Sequence, residues 1–316
     1  MILKTVTRLS FPRDTNHTAL PSKGFRVVLA ITAITTFVLI SLGGVVRVTE
    51  SGLGCPDWPM CYGEIVPPIE MHALIEFSHR ATASLVACLS LGLGLFVWRR
   101  HRSHAVTFPI TLALFVLVLQ IGLGAITVLH ELPPTIVTAH LGLAELFWSL
   151  LLIALVWSQP VDRVNGNETI LVTRLALISI LGVFLVLLSG SYVVGRGLGA
   201  VCSNWPHCVD TLIPSSNLLW VHMIHRVLAG AIGFLVIATG FVGLKQRHIV
   251  PSLGLTSLMV ILVMIAQTMI GAANPWFGFS SFVRVAHLSV ATALLGTLVV
   301  FLGIITNPTS SLREHK

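Results

Sequence analysis

The stretch Cys55-Pro56-Asp57-Trp58-Pro59-Met60-Cys61 returns later in the chain as Cys202-Ser203-Asn204-Trp205-Pro206-His207-Cys208, 147 positions on (202 minus 55). Three further stretches return in the same order. Ser78-His79-Arg80 becomes Ile224-His225-Arg226 at an offset of 146 (225 minus 79), and Gln120, Gly124 and Ala125 become Gln267, Gly271 and Ala272 at 147. Ala139-His140-Leu141 becomes Ala286-His287-Leu288, again at 147. Four ordered matches at nearly constant offset mark an internal duplication, and what separates them decides the fold.

What separates them is apolar. Hydrophobic residues make up 55% of the 316-residue chain and charged residues 10%, with a mean hydropathy of +0.91. A soluble domain carries about 25% charged residues. A spanning helix needs roughly 20 mainly apolar residues, and eight runs qualify: 25–47, 73–98, 105–128, 137–158, 172–194, 218–243, 252–273 and 284–306. Each copy of the repeat therefore holds four spans, and both copies enter the membrane the same way. The expected fold is an all-α integral membrane protein of eight transmembrane helices. They form two tandem four-helix bundles, residues 1–160 and 161–316, related by a pseudo-two-fold axis along the membrane normal rather than by an inverted repeat. The join is the polar stretch from Gln159 to Thr173. The first 24 residues are polar and basic and do not read as a cleavable signal.

Charge sets the orientation. Segments on the side of the termini hold Lys4, Arg8, Arg13, Lys23, Arg26, Arg99, Arg100, Arg102, Arg163, Arg174, Lys245, Arg247, Arg313 and Lys316, which is 14 of the 19 basic residues. By the positive-inside rule both termini are cytoplasmic in a cell membrane. The other loops carry Glu50, Asp57, Glu64, Glu70, Glu131 and Asp210 together with both cysteine pairs, on the side where disulfides persist. The net charge of +7 is thus a topology signal, and nucleic-acid binding is excluded as its explanation. Lipid is the partner these surfaces imply. Cys88, alone in an apolar run, reads as a small apolar filler.

Four histidines repeat: His79, His140, His225 and His287. Each lies one to two turns in from the outer end of its span, two per half on two helices. Polar residues inside a span are expensive and commonly functional, and facing histidines in a helix bundle can hold a heme iron from both sides. Two histidines per half are too few for structural zinc. Arg80 and Arg226 follow a histidine in each half, and an arginine fork matches a heme propionate; Arg47, Arg196 and Arg284 share the outer level, and snorkelling is the alternative. Glu76 lies three residues before His79, on the same helix face, where the second half has His222 (222 minus 76 is 146). A carboxylate in an apolar cavity can exchange protons, so the first half is expected to hold the reacting group; the alternative is a static pair with an outer arginine. Glu145, five residues beyond His140, has no evident partner. Cys55 with Cys61 and Cys202 with Cys208 read as disulfides stapling outer loops, with a redox role open to the first pair.

With Glu76-Phe77-Ser78-His79-Arg80, His140, His225-Arg226 and His287 set in two four-helix halves, the chain resembles the heme A synthase family over nearly its whole length. The cysteine pairs resemble those of its bacterial branch. The resemblance implies an enzyme that oxidises a methyl group of heme O to the formyl group of heme A through two hydroxylations and loss of water. It implies that His79 and His140 hold heme O as substrate, that His225 and His287 hold a heme b that passes electrons, and that Glu76 assists the oxidation. It further implies that Cys55 and Cys61 aid electron or heme transfer, that Cys202 and Cys208 are structural, and that a heme O synthase supplies the substrate. The electron donor is unidentified at this level, and a homo-oligomer is neither required nor excluded. Two other readings compete. A bis-heme electron carrier would place hemes at both depths of the membrane, whereas all four ligands here sit near one face. A membrane thiol oxidoreductase would more often space its cysteines by two residues.

Overall fold

A computed structural model of the chain describes residues 20–102, 104–160, 168–208, 216–248 and 251–308. The basic residues Lys4, Arg8, Arg13, Arg163, Arg313 and Lys316, and Asp210, lie outside them. The described residues form eight long helices: α1 (Lys23–Val48), α2 (Met71–Arg100), α3 (Thr107–Leu129), α4 (Pro134–Trp157), α5 (Glu168–Gly195), α6 (Asn217–Lys245), α7 (Pro251–Trp276) and α8 (Ser281–Ile305). Each is long and apolar enough to cross a membrane, and the only extended pairing among the described residues is a bridge between Cys61 and Glu64. The chain is an all-helical, multi-pass membrane protein. In lipid every backbone amide must find a partner within its own helix, so the ends carry the recognisable signals. Ser22 accepts a bond from Phe25 N (3.2 Å), Ser216 accepts one from Leu219 N (3.4 Å), and α4 opens on Pro134. Apolar residues such as Ile31, Ile34 and Phe234 stay exposed along the spans, as a lipid-facing surface requires. Cys88 lies on that exposed face of α2 rather than filling an interior gap.

Helix α1 packs on α2 and α4, α2 on α3, and α3 on α4, so the first four helices close a ring. The second four close another through α5–α6, α6–α7, α7–α8 and α5–α8. The rings meet through α4–α5, α1–α8 and α4–α8. One apolar cluster fills the first ring around Leu29, Val86, Ile110 and Leu151, and a second fills the other around Val236, Val260, Leu295 and Leu298.

The duplication is legible in the backbone. Positive φ occurs at Glu50 and Gly197 (55° and 73°), at Glu131 and Gly278 (both 59°), and at Leu132 and Phe279 (61° and 57°). Each of these pairs is 147 positions apart. The peptide bonds Trp58–Pro59 and Trp205–Pro206 are both cis. Contacts between the rings also match. Thr138 Oγ1 donates to Ser191 Oγ (3.3 Å) where α4 meets α5. At the equivalent positions where α8 meets α1, a Cβ on Gly44 would lie 4.0 Å from Val285 Cγ1. Ser289 donates to Ser41 (2.9 Å), and the matching positions bring Gly142 against Leu188.

The α4–α8 contact is closed by Glu145, which is fully buried and accepts a 2.5 Å bond from Thr292 Oγ1. These residues are themselves repeat equivalents (292 minus 145 is 147). Glu145 Oε2 has no partner among the described residues. Thr292→Val keeps the shape of the side chain and strips the carboxyl of its one bond. A buried polar group left unsatisfied costs about 1–3 kcal/mol. Unfolding in mixed micelles should show a loss of that size, with Thr292→Ser close to the parent. An unchanged midpoint for Thr292→Val would mean the bond contributes nothing.

Candidate functional site

His79 lies on α2, His140 on α4, His225 on α6 and His287 on α8, about two turns in from the N-terminal end of each helix. All four are half-buried, and each turns its Cε1 edge against a glycine of a neighbouring helix. A Cβ on Gly43 would stand 3.3 Å from His79 Cε1, and one on Gly124 3.1 Å from His140 Cε1. In the second half, Gly190 and Gly271 give 3.0 and 3.1 Å to His225 and His287. Gly43 and Gly190 are 147 positions apart, as are Gly124 and Gly271. The imidazoles therefore stand in four copies of one cradle that exists only because a side chain is missing. Within each half the two imidazoles lie within electrostatic reach of one another. Gly190→Val should push the His225 ring out of place. The expected result is a changed environment of the His225 ring in NMR spectra with retained helical content; an unaltered ring environment would show that the cradle does not position the ring.

The second pair faces a cavity of about 580 Å³ lined by His225, His287, His222, Gln267 and Gly271 among others, within the size range of small-molecule sites. Ser189 Oγ lies 2.8 Å from His225 Nδ1 and donates to Val186 O (2.7 Å). With its hydrogen used on that carbonyl, Ser189 accepts from Nδ1–H, which leaves the lone pair of His225 on Nε2. A second group that fixes the tautomer in this way is a usual companion of a ligating imidazole. The first half lacks that serine, since Leu42 stands at the equivalent position, and His79 Nδ1 has no side-chain partner among the described residues. There the Gln120 amide instead sits 3.3 Å from His140 Nε2. Sequence reading had noted Gln120 and Gln267 only as repeat markers and had missed Ser189, Gly43 and Gly190. The 147-residue offset applied to glycines would have found the last two.

Glu76 is buried, and its carboxylate is engaged on both oxygens. Oε1 takes bonds from Arg80 Nε (3.1 Å) and Nη2 (2.5 Å), and Oε2 takes one from Cys55 N (2.9 Å). The expectation was a carboxylate looking into the histidine cavity, with a static pair to an outer arginine as the alternative; the structure has the pair, with Arg80 one turn on and the loop folded against it holding the group. The remaining Arg80 hydrogens go to Asp57 O and Met60 O (both 2.8 Å) and Cys55 O (2.9 Å). All five guanidinium donors are thus used within the protein, which leaves Arg80 none for a propionate. Arg226 repeats the clamp on the second loop, with bonds to Asn204 O (2.6 Å), His207 O (2.9 Å), Pro206 O (3.3 Å) and Cys202 O (3.3 Å), but without a carboxylate. His222, in place of Glu76, bonds Leu198 O through Nδ1 (3.0 Å).

Both loops are closed by disulfides, Cys55–Cys61 and Cys202–Cys208. In the first loop Asp57 accepts bonds from Gly63 N (2.7 Å) and Tyr62 N (2.6 Å). The Gly63 bond, helped by that of Tyr62 and by nearby Arg80, holds the Asp57 carboxyl below its ordinary range. A depressed carboxyl stabilises the fold above its ordinary pKa, and that contribution is lost as pH falls through the lowered value. The loop is therefore locked throughout the neutral range.

These features define a polytopic membrane protein with two half-buried imidazoles in each half, each seated against a glycine of a neighbouring helix. The chain belongs to the cytochrome oxidase assembly protein family, whose family model matches residues 26–299. It is similar to the heme A synthase of Exiguobacterium sibiricum, at 26% identity over 275 residues, covering 85% of this chain and 91% of that protein. It is similar to that of Geobacillus kaustophilus at 27% over 277 residues (85% and 87%) and to that of Lysinibacillus sphaericus at 33% over 220 residues (66% and 71%).

Proposed function

We propose that this chain is a heme A synthase, an oxidoreductase that converts a methyl group of heme O to the formyl group of heme A. The observation that carries the reading is the set of four histidine–glycine cradles, two per half, with an acidic residue beside them in the first half only. The similarity to heme A synthases over most of the chain supports it. A cradle that any Cβ would fill, a ring nitrogen aimed by Ser189 and a cavity of about 580 Å³ fit a flat, axially ligated heme.

In this reading residues 1–160 and 161–316 are two bundles related by a pseudo-two-fold axis along the membrane normal. Support comes from the exchanged contacts α4–α5 and α1–α8 and from the Glu145–Thr292 pair between them. Both termini are cytoplasmic, and both sites lie near the outer face. His79 and His140 hold heme O, which the Gln120 contact at His140 leaves replaceable, while His225 and His287 hold heme b. A bound heme b supplies one-electron chemistry. The chain's own residues do the rest: imidazoles orient the two porphyrins, and the apolar spans exclude water. Glu76 holds or releases a proton at its carboxylate. A proton on Oε2 competes with the Cys55 bond, so proton movement there is coupled to the 55–61 loop. Turning a methyl into a formyl group is a four-electron oxidation that adds one oxygen and removes two hydrogens. If water supplies that oxygen, the electrons must leave to an external acceptor; if two successive dioxygen-dependent hydroxylations supply it, an external donor must deliver electrons and the second oxygen atom of each dioxygen leaves as water. A heme O synthase is the supplier of the substrate, and a homo-oligomer is compatible with the surfaces described.

The test is pigment extraction with mass analysis after co-expression with a heme O supplier. Heme b together with heme O or heme A is expected. Heme b alone, with heme O present in the cell, would favour the electron-carrier reading.

A further inference from the structure

The cavity of the second half is bordered at its disulfide-loop end by three arginines: Arg226, Arg47 and Arg284. They are not equivalent. Arg226 is tied to the carbonyls of the 202–208 loop. Arg47, which reaches this cavity from α1 of the other half, makes one bond, to Gly195 O at 3.3 Å. Arg284 has no side-chain hydrogen bond or ion pair among the described residues, where the only salt bridge is Arg80–Glu76. Arg47 and Arg284 are near enough to repel each other, and Glu50 attracts Arg47 without forming an ion pair. Two cations converging on an apolar cavity without a counter-charge are costly in a membrane unless an anion joins them.

The repeat sharpens the point. The positions equivalent to Arg47 and Arg284 are Val194 (194 minus 47 is 147) and Val137 (284 minus 137 is 147). The duplication therefore preserved the histidines and glycines in both halves but not this cation pair: both equivalents are valines, and they line the same cavity as the arginines.

We infer that Arg47 and Arg284 form a carboxylate clamp for the porphyrin held by His225 and His287, and that this clamp makes the second half retain its heme while the first half exchanges. The inference rests on the heme reading above. The ligand class is a metalloporphyrin bearing free carboxylates. A charge-assisted bond to each carboxylate slows dissociation, because leaving would return two half-buried cations at the cavity rim to facing each other without an ion-pair partner. The clamp also bridges the halves, since Arg47 is supplied by the first and Arg284 by the second.

The experiment uses the full chain carrying His79→Ala, which confines porphyrin to the second half, reconstituted with hemin or with hemin dimethyl ester. Loss to excess apomyoglobin is followed by absorbance. Arg47→Gln with Arg284→Gln should speed hemin loss at least tenfold, and Arg47→Lys with Arg284→Lys should restore most of the retention. On the unaltered clamp the dimethyl ester should leave as fast as hemin leaves the glutamine variant, an arm that needs no mutation at the arginines. Equal rates for hemin and its ester on the intact clamp would overturn the proposal. Equal acceleration of both by the glutamine variant would overturn it too, pointing to a lipid phosphate or a structural role. A protein whose bound-hemin spectrum is insensitive to His225→Met would fail the heme reading itself, which separates the two.

Discussion

Glu76→Ala should reduce heme A formation by roughly 10²–10⁴-fold, the usual contribution of a positioned acid or base, while leaving the second half's heme spectrum intact. The substitution removes the carboxylate that lies one turn before His79, where the second half has His222 before His225. It also frees Arg80 Nε and Nη2 and Cys55 N from their shared acceptor, so a structural effect on the 55–61 loop has to be separated from a chemical one. Glu76→Gln does this. Its amide oxygen can still accept from Arg80 or Cys55, but the side chain no longer exchanges a proton near neutrality. If the role is proton transfer, Gln fails as Ala does; if it is only to fasten the loop, Gln recovers much of the activity. Product is read as the ratio of heme A to heme O in extracted pigment. Near-normal conversion by the alanine variant would sink the proposed role.

His225→Met should change the second half's heme before anything else. The imidazole is seated against Gly190 and aimed by Ser189, and a thioether in its place gives a histidine–methionine pair. Methionine ligation raises the reduction potential, so the visible bands should shift and the midpoint should rise in a potentiometric titration. Heme A formation should change with it, because the heme that passes electrons would no longer sit at its native potential. The fold should persist, since His225 lines a cavity and is not itself a member of either apolar cluster. An unchanged heme spectrum would refute the assignment of His225.

The spans were legible in the sequence because their signal is long and uniform: a run such as 172–194 has little else it can be, and the structure extends it only to Glu168–Gly195. The four histidines were legible for a different reason. Each is a costly residue inside a span, and each occurs twice. The cradle glycines were harder to see, because glycine is common in membrane helices and only the offset separates Gly43 and Gly190 from their neighbours. The partners of Glu76 could not be read at all. Which way a carboxylate turns depends on where the loop with Cys55 folds and on how Arg80 divides five donors among it, and neither follows from helix periodicity. Glu145 was isolated in the sequence for the same reason: its partner lies on another helix, 147 residues away.

That partner carries a consequence for ancestry. In an ancestral dimer of identical four-helix chains, the residue on the symmetry axis would have met its own copy. Two copies of the first half joined in this way would bring Glu145 against Glu145, like carboxylates that cannot both ionise in so apolar a contact. Two copies of the second half would bring threonine against threonine, without the acid. Only the unlike pairing provides one donor facing one acceptor. The fused gene has thereby given up the freedom to exchange halves: neither four-helix unit remains a good partner for itself, and the specialisation of the two sites is secured at a position that touches neither.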